Sequence, residues 1–153
     1  VEEAVAKALA NRPEIDGSRL AVEIYKNLHS DVNTYPHNSA TYLSADAQVK
    51  EAENTAQTAP LLIEIEIRSR YNDLLALKDK VAKAKQTAQY AAEGYRLSML
   101  SYKEGMTTLA ELQNIQVKLH EADLAVAAAI TEYNLAVYAF NYASTVGTER
   151  LTL

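Results

Sequence analysis

The second half of the chain repeats itself every seven residues. Ile67, Leu74, Val81, Ala88, Tyr95 and Tyr102 recur at that interval, and Leu77, Ala84 and Ala91 each follow three residues behind a member of the series. Lys, Glu, Gln and Asp fill the positions between. An apolar seam of period seven, sustained this long, predicts a coiled-coil helix. Gly105 breaks the run, and either Thr107 or Thr108 can cap a new helix; Thr108 and Glu111 have the spacing of a capping box. The seam resumes with Leu112, Leu119, Val126, Tyr133 and Phe140, followed three residues later in each repeat by Ile115, Ala122, Ala129, Ala136 and Ala143. One position of each repeat is large and the other is nearly always Ala, so the helix axes can approach closely. Gly147 stands where a helix-terminating C′ glycine is expected.

The first half is less regular. A short helix is expected over Glu2–Asn11, ended by Pro13 or by the extended backbone that Pro13 imposes on its predecessor. Asp16 or Ser18 caps a second helix reaching about Val32 or Asn33, with Leu20, Ile24 and Leu28 on one face. Periodicity stops over residues 34–43, where Pro36, Asn38 and Ser39 read as a turn or crossing. Ser44 is a candidate N-cap for the long helix. Pro60 removes one backbone donor and predicts a kink or a second start. The expected layout is therefore a single domain, 1–153: short helix and connector 1–16, helix 17–33, crossover 34–43, long helix 44–104 and return helix 107–146. The linker at Gly105 is too short for anything but an antiparallel hairpin. The long helix, at roughly 90 Å, comes close to the summed length of the two shorter ones, roughly 24 and 60 Å. The fold class is all-α: a long antiparallel coiled-coil hairpin with a shorter helix stacked end to end on the return helix, and no barrel strands.

Composition agrees. Four Gly and three Pro in 153 residues supply too little punctuation for a many-stranded fold. A net charge of −5 without a basic cluster leaves no footprint for nucleic acid. The absence of cysteine removes disulfides and thiolate chemistry. The longest apolar run, Leu124–Ile130, is far short of the ~20 residues needed to span a bilayer as a helix. The chain opens at Val1 with no signal-like segment, which reads as an excised or processed fragment.

The segment Tyr95-Arg96, Tyr102 through Leu112 (YKEGMTTLAEL), then Leu119, Ala122, Tyr133, Ala136, Ala143 and Gly147, resembles the hairpin of TolC-type outer-membrane efflux proteins. The opening Ala8-Leu9-Ala10-Asn11-Arg12-Pro13-Glu14-Ile15 is similar to the start of that family's repeats. The resemblance implies one repeat of a periplasmic helical tunnel, assembled as a homo-oligomer and docked at its hairpin tip by a periplasmic adaptor protein. It implies a tip formed by Tyr102, Gly105, Thr107 and Thr108, and candidate pore-facing residues Glu111 and Asn114. One departure is plain. The family carries an outer-membrane β-hairpin between its upper and long helices, and a transmembrane strand needs roughly 9–11 residues. Residues 34–43 cannot supply two, so either the barrel segment is missing from this chain or the sequence belongs to a branch without one. Membrane contact is expected only through that absent barrel.

Other readings are plainer. Tyr102 continues the seam, and Glu111 is an acid favoured by a helix N-terminus. Tyr133, Tyr138, Phe140 and Tyr142 fit core and interface packing better than ligand stacking. His29, His37 and His120 are far apart in sequence, and no pair has helical ligand spacing, so no metal site is expected. Neither a catalytic constellation nor a cofactor motif stands out. The alternative function is a barrel-less coiled-coil spacer or interaction protein of the cell envelope.

Overall fold

The computed structural model describes residues 1–146 and contains four helices: α1 (Glu2–Asn11), α2 (Pro13–Asp31), α3 (Ala40–Lys103) and α4 (Leu109–Ala143). No strand occurs among the described residues. The fold is all-α with a long helical hairpin. Gly147 lies outside the described residues. Contacts divide the chain into two compact units, one holding Val1–Tyr71 with the chain from Ala139 onward, the other Asn72–Tyr138.

In the Asn72–Tyr138 unit, burial follows the seven-residue seam. Leu112, Ala122 and Ala129 are buried, and Ile115, Leu119, Val126, Tyr133 and Ala136 are half-buried. From Leu109 to Asn134, every other α4 residue except Ile130 is exposed. The facing seam of α3 runs through Leu74, Leu77, Val81, Ala84, Ala88, Ala91 and Tyr95, and Ser98 takes its next place at 9% exposure. It thins at Tyr102, which is 39% exposed rather than packed. Lys80 pairs with Glu132 across the hairpin. That pair straddles Met106 symmetrically, so the two helices of the hairpin run antiparallel in register with the turn.

In the other unit, the core is built from Val5, Ala8, Ile15, Ile63, Ile67 and Ala143, with Leu9, Ala59 and Phe140 packed against it. Tyr71 and Phe140 meet with ring centroids 6.2 Å apart. Arg12, 3% exposed, lies at the junction of α1 and α2. Its Nε donates to the Ala143 carbonyl at 2.8 Å, and its Nη1 pairs with Glu66 Oε2 at 2.7 Å. Glu66 Oε1 accepts from Arg70 Nε at 2.8 Å. A single guanidinium thus joins the start of α2, the middle of α3 and the last turn of α4, where backbone carbonyls run out of helical donors. α2 begins where α4 ends.

Helices α2 and α3 differ from expectation in four respects. α2 starts at Pro13 and not at Asp16 or Ser18, because proline's fixed φ suits the first helical position. Pro13 holds Arg12 extended, at φ −75° and ψ 126°, so the connector shrinks to that one residue. α3 starts at Ala40, with Ser39 and not Ser44 as its cap: Ser39 Oγ accepts from the Tyr42 N–H at 3.2 Å. The crossover is accordingly residues 32–39. α3 also continues through Pro60 without a second start.

The fourth difference concerns the roll of α2. Leu20, Ile24 and Leu28 are 56%, 49% and 50% exposed. The less exposed face is instead Ile15, Ser18, Val22, Tyr25, His29 and Val32, spaced alternately three and four. Ile15 is buried in the core at the first turn, and its position fixes the roll of everything after it. Lys26 pairs with Glu53 at 2.7 Å along the resulting contact with α3.

Replacing Arg12 by Met keeps the bulk but removes the side-chain donor to the Ala143 carbonyl and one cation from the Glu66 carboxylate. Loss of a buried ion-pair partner costs about 3–5 kcal/mol, and the half-buried Glu66 with its second arginine places this case nearer ~2 kcal/mol. Chemical denaturation of Arg12→Met measures it. Hydrogen exchange is expected to accelerate in the last turn of α4; unchanged stability would show that the guanidinium contributes nothing net.

Candidate functional site

The hairpin turn combines a helix stop and a helix start within six residues. α3 ends in a Schellman arrangement: the Met106 N–H donates to the Ser101 carbonyl at 2.9 Å and the Gly105 N–H to the Tyr102 carbonyl at 3.0 Å. Gly105 has φ +74°, the left-handed conformation that glycine adopts without a Cβ penalty. A Cβ built there meets nothing within 4 Å, so a side chain would cost backbone strain but no collision.

Thr108 caps α4. Its Oγ1 accepts from the Glu111 N–H at 3.2 Å, and Glu111 Oε2 accepts from the Thr108 N–H at 2.8 Å, the reciprocal pair of a capping box. The same carboxylate oxygen also accepts from Thr107 Oγ1 at 2.6 Å and Thr108 Oγ1 at 2.9 Å. Led by the Thr107 hydroxyl, then the Thr108 N–H and hydroxyl, these bonds pull the Glu111 carboxyl down to about 2. Both threonines expected at the tip therefore act through Glu111, which stays ionised at neutral pH.

Around this polar staple lies an apolar surface. Met106 is 82% exposed, and Leu97, Leu100 and Leu109 are each about half exposed. With Tyr102, at 39%, they leave apolar side chains exposed on both sides of the turn. Sequence reasoning overlooked Met106, although its place directly after the C′ glycine was the available signal: a C″ side chain often packs back onto its helix, and this one does not. Asn114 is exposed one helical turn beyond Glu111.

Far from the tip in sequence, His29 and His37 meet the same ring. Tyr42 lies 4.3 Å from His37 in a stacked pair and 5.0 Å from His29 in a tilted one. Their separation along the chain conceals this, because the turn at 32–39 brings them back together. Among the described residues, no group of three or more His, Asp and Glu is placed to hold a metal. Among the described residues, no helix is long and apolar enough to cross a membrane.

No family model matches this chain, and searches of curated proteins and of solved structures return no match.

The capping carboxylate makes the tip acid-sensitive. A carboxyl whose folded value is depressed contributes stability that is fully present above its ordinary value near 4.5 and is lost as pH falls toward 2. A carboxyl-detected NMR titration of Glu111 is expected to find its midpoint near 2. Thr108 amide protection is expected to fall over that same window, and Glu111→Gln to remove the dependence. A midpoint at the ordinary value would mean that the capping box is open in solution.

Proposed function

We propose that this chain is the periplasmic helical tunnel portion of an outer-membrane efflux or secretion channel protein, located in the cell envelope on the periplasmic side of the outer membrane. It acts through oligomeric helix packing and through docking of a periplasmic adaptor at the hairpin tip. The observation that carries the reading is the tip: a doubly capped turn flanked by exposed apolar side chains, Met106 foremost, in the segment where the sequence resembles TolC-type hairpins. A turn with no partner gains nothing from holding Met106 in water. The exposed stripe Leu20, Ile24 and Leu28 on α2 is a second surface that packing against neighbouring chains would cover. Within this reading, Glu111 and Asn114 face the conduit near its aperture, and Glu111 supplies a fixed negative charge there.

The alternative, a barrel-less coiled-coil spacer or interaction protein of the envelope, is favoured by the connection between α2 and α3. Residues 32–39 form a run of turns closed by the Ser39 cap, which leaves no room for membrane strands.

Two substitutions separate docking from folding. Gly105→Trp costs about 1 kcal/mol of left-handed strain, which a long coiled coil tolerates. Met106→Asp changes an exposed side chain and is expected to leave melting within a few degrees of wild type. In the full-length protein, both are expected to abolish adaptor crosslinking and efflux while the melting temperature barely moves. Unchanged crosslinking, or losses that merely track unfolding, would reduce the turn to an ordinary helix stop and favour the spacer.

A further inference from the structure

The chain holds two methionines, Met99 and Met106, and no cysteine. With no thiolate to compete, a thioether is the first sulfur that an oxidant meets here. The two are placed differently. Met99 is half-buried, next to Ser98 in its seam position at 9% exposure, whereas Met106 is 82% exposed. The backbone of the turn accounts for the difference. The Met106 N–H is held by the Ser101 carbonyl, and Gly105 before it stands at φ +74°, so Met106 leaves the helix with its main chain fixed and its side chain in water. A Cβ built on Gly105 meets nothing within 4 Å, so the space beside the turn is open to a small reagent. The buried residues that hold the helices together do not include Met106.

We infer that Met106 is a site of reversible oxidation by hydrogen peroxide, which turns the surface of the tip from apolar to polar and leaves the helices intact. The thioether sulfur attacks one peroxide oxygen. An S–O bond forms as the O–O bond breaks, hydroxide departs, and the proton on the new oxygen passes to it. Sulfur is oxidised to the sulfoxide and the peroxide is reduced to water. A dithiol acting through methionine sulfoxide reductase reverses the change, removing the oxygen as water and ending as a disulfide. In a packed place the added oxygen would break contacts; Met106 is already in water, so the fold loses nothing. The new dipole stands, along the chain, between exposed Leu100 and Tyr102 on one side and Leu109 on the other, where an apolar partner would have to desolvate it. Oxidation therefore weakens docking at the turn. That last step rests on the docking reading, and the oxidation itself does not.

Peptide mapping by mass spectrometry after timed hydrogen peroxide treatment of the whole chain tests the site. Met106 sulfoxide is expected to form roughly five-fold or more faster than Met99 sulfoxide, following exposure. Helix content and melting midpoint are expected to stay unchanged when Met106 alone is oxidised, and methionine sulfoxide reductase with dithiothreitol to restore the original mass. Equal rates at the two methionines, or helix loss that tracks oxidation of Met106, would overturn the inference. Adaptor crosslinking in the full-length protein tests the consequence, with each sample compared to itself before treatment. The wild-type yield is expected to fall several-fold after peroxide and to recover with the reductase. Met106→Leu, whatever its starting yield, is expected to show no change on peroxide treatment. A wild-type yield that survives complete oxidation of Met106 would overturn the effect on docking while docking itself stands. An untreated protein that never crosslinks would instead sink the docking reading, and the mapping would still decide whether Met106 is the oxidation site.

Discussion

A helix of 64 residues cannot hold itself together in water on propensity alone; it persists where one stripe of it is covered along its length. In the hairpin that stripe is the seven-residue seam, and the other features of the Asn72–Tyr138 unit follow from it. Ala122 and Ala129, alternating with Leu119, Val126 and Tyr133, let the backbones come close, so burial is confined to a narrow line and nearly everything else on α4 faces water. The seam also fixes the register, and the cross-hairpin ion pair between Lys80 and Glu132 is a consequence of that register. With both side chains half exposed, it is worth little in stability. A reversal at Gly105 is then the only geometry that returns the chain along its own seam within so few residues.

The unit around α1 and α2 is organised differently, and this is where reading from sequence alone fell short. Its pivot is Arg12, whose partners lie 54 and 131 residues away. No local pattern announces such a contact; the residue looks like an ordinary polar neighbour of a proline. Burying it requires charge compensation from Glu66 and a backbone carbonyl at the end of α4. Once Arg12 and Ile15 are fixed, the roll of α2 is fixed too, and it overrides the more obvious stripe of Leu20, Ile24 and Leu28. Amphipathic spacing shows that a helix has an apolar face, but the tertiary anchor decides which face turns inward. Ser39 prevailed over Ser44 as the cap for a related reason: the turns from Val32 to Ser39 use up the chain early, and α3 begins as soon as a hydroxyl can accept from its first N–H groups.

The tip was legible almost entirely, since each of its interactions spans five residues or fewer. The glycine, the two threonines and the capping glutamate satisfy one another within the turn, and spacing alone identifies them. What spacing did not reveal is how many bonds converge on one oxygen of Glu111, or that Met106 stands in water. The meeting of His29 and His37 on Tyr42 was equally hidden, because it depends on the fold of the crossover and not on helical periodicity.

The two faces of α4 constrain what any assembly of this chain can be. A wall that lines water must present polar groups to it, and the exposed polar residues of α4 are densest in its first half, from Glu111 through Gln113, Asn114, Gln116, Lys118, His120 and Glu121 to Asp123. From Leu124 to Tyr138 its outward face is apolar apart from Glu132, Thr131 and Asn134, and leaving such a face wet is costly. A conduit built from this chain would therefore have its wet lining at the tip end and cover the remainder of α4 with neighbouring helices. A spacer would cover that same stretch with a partner and leave the tip end for other contacts. Both arrangements require α4 to be sandwiched, with the Ala-rich seam against α3 on one side and the Leu124–Tyr138 face against another helix on the other. The hairpin by itself covers only the first of these faces, and the second holds Leu124, Leu135 and Tyr138 more than half exposed.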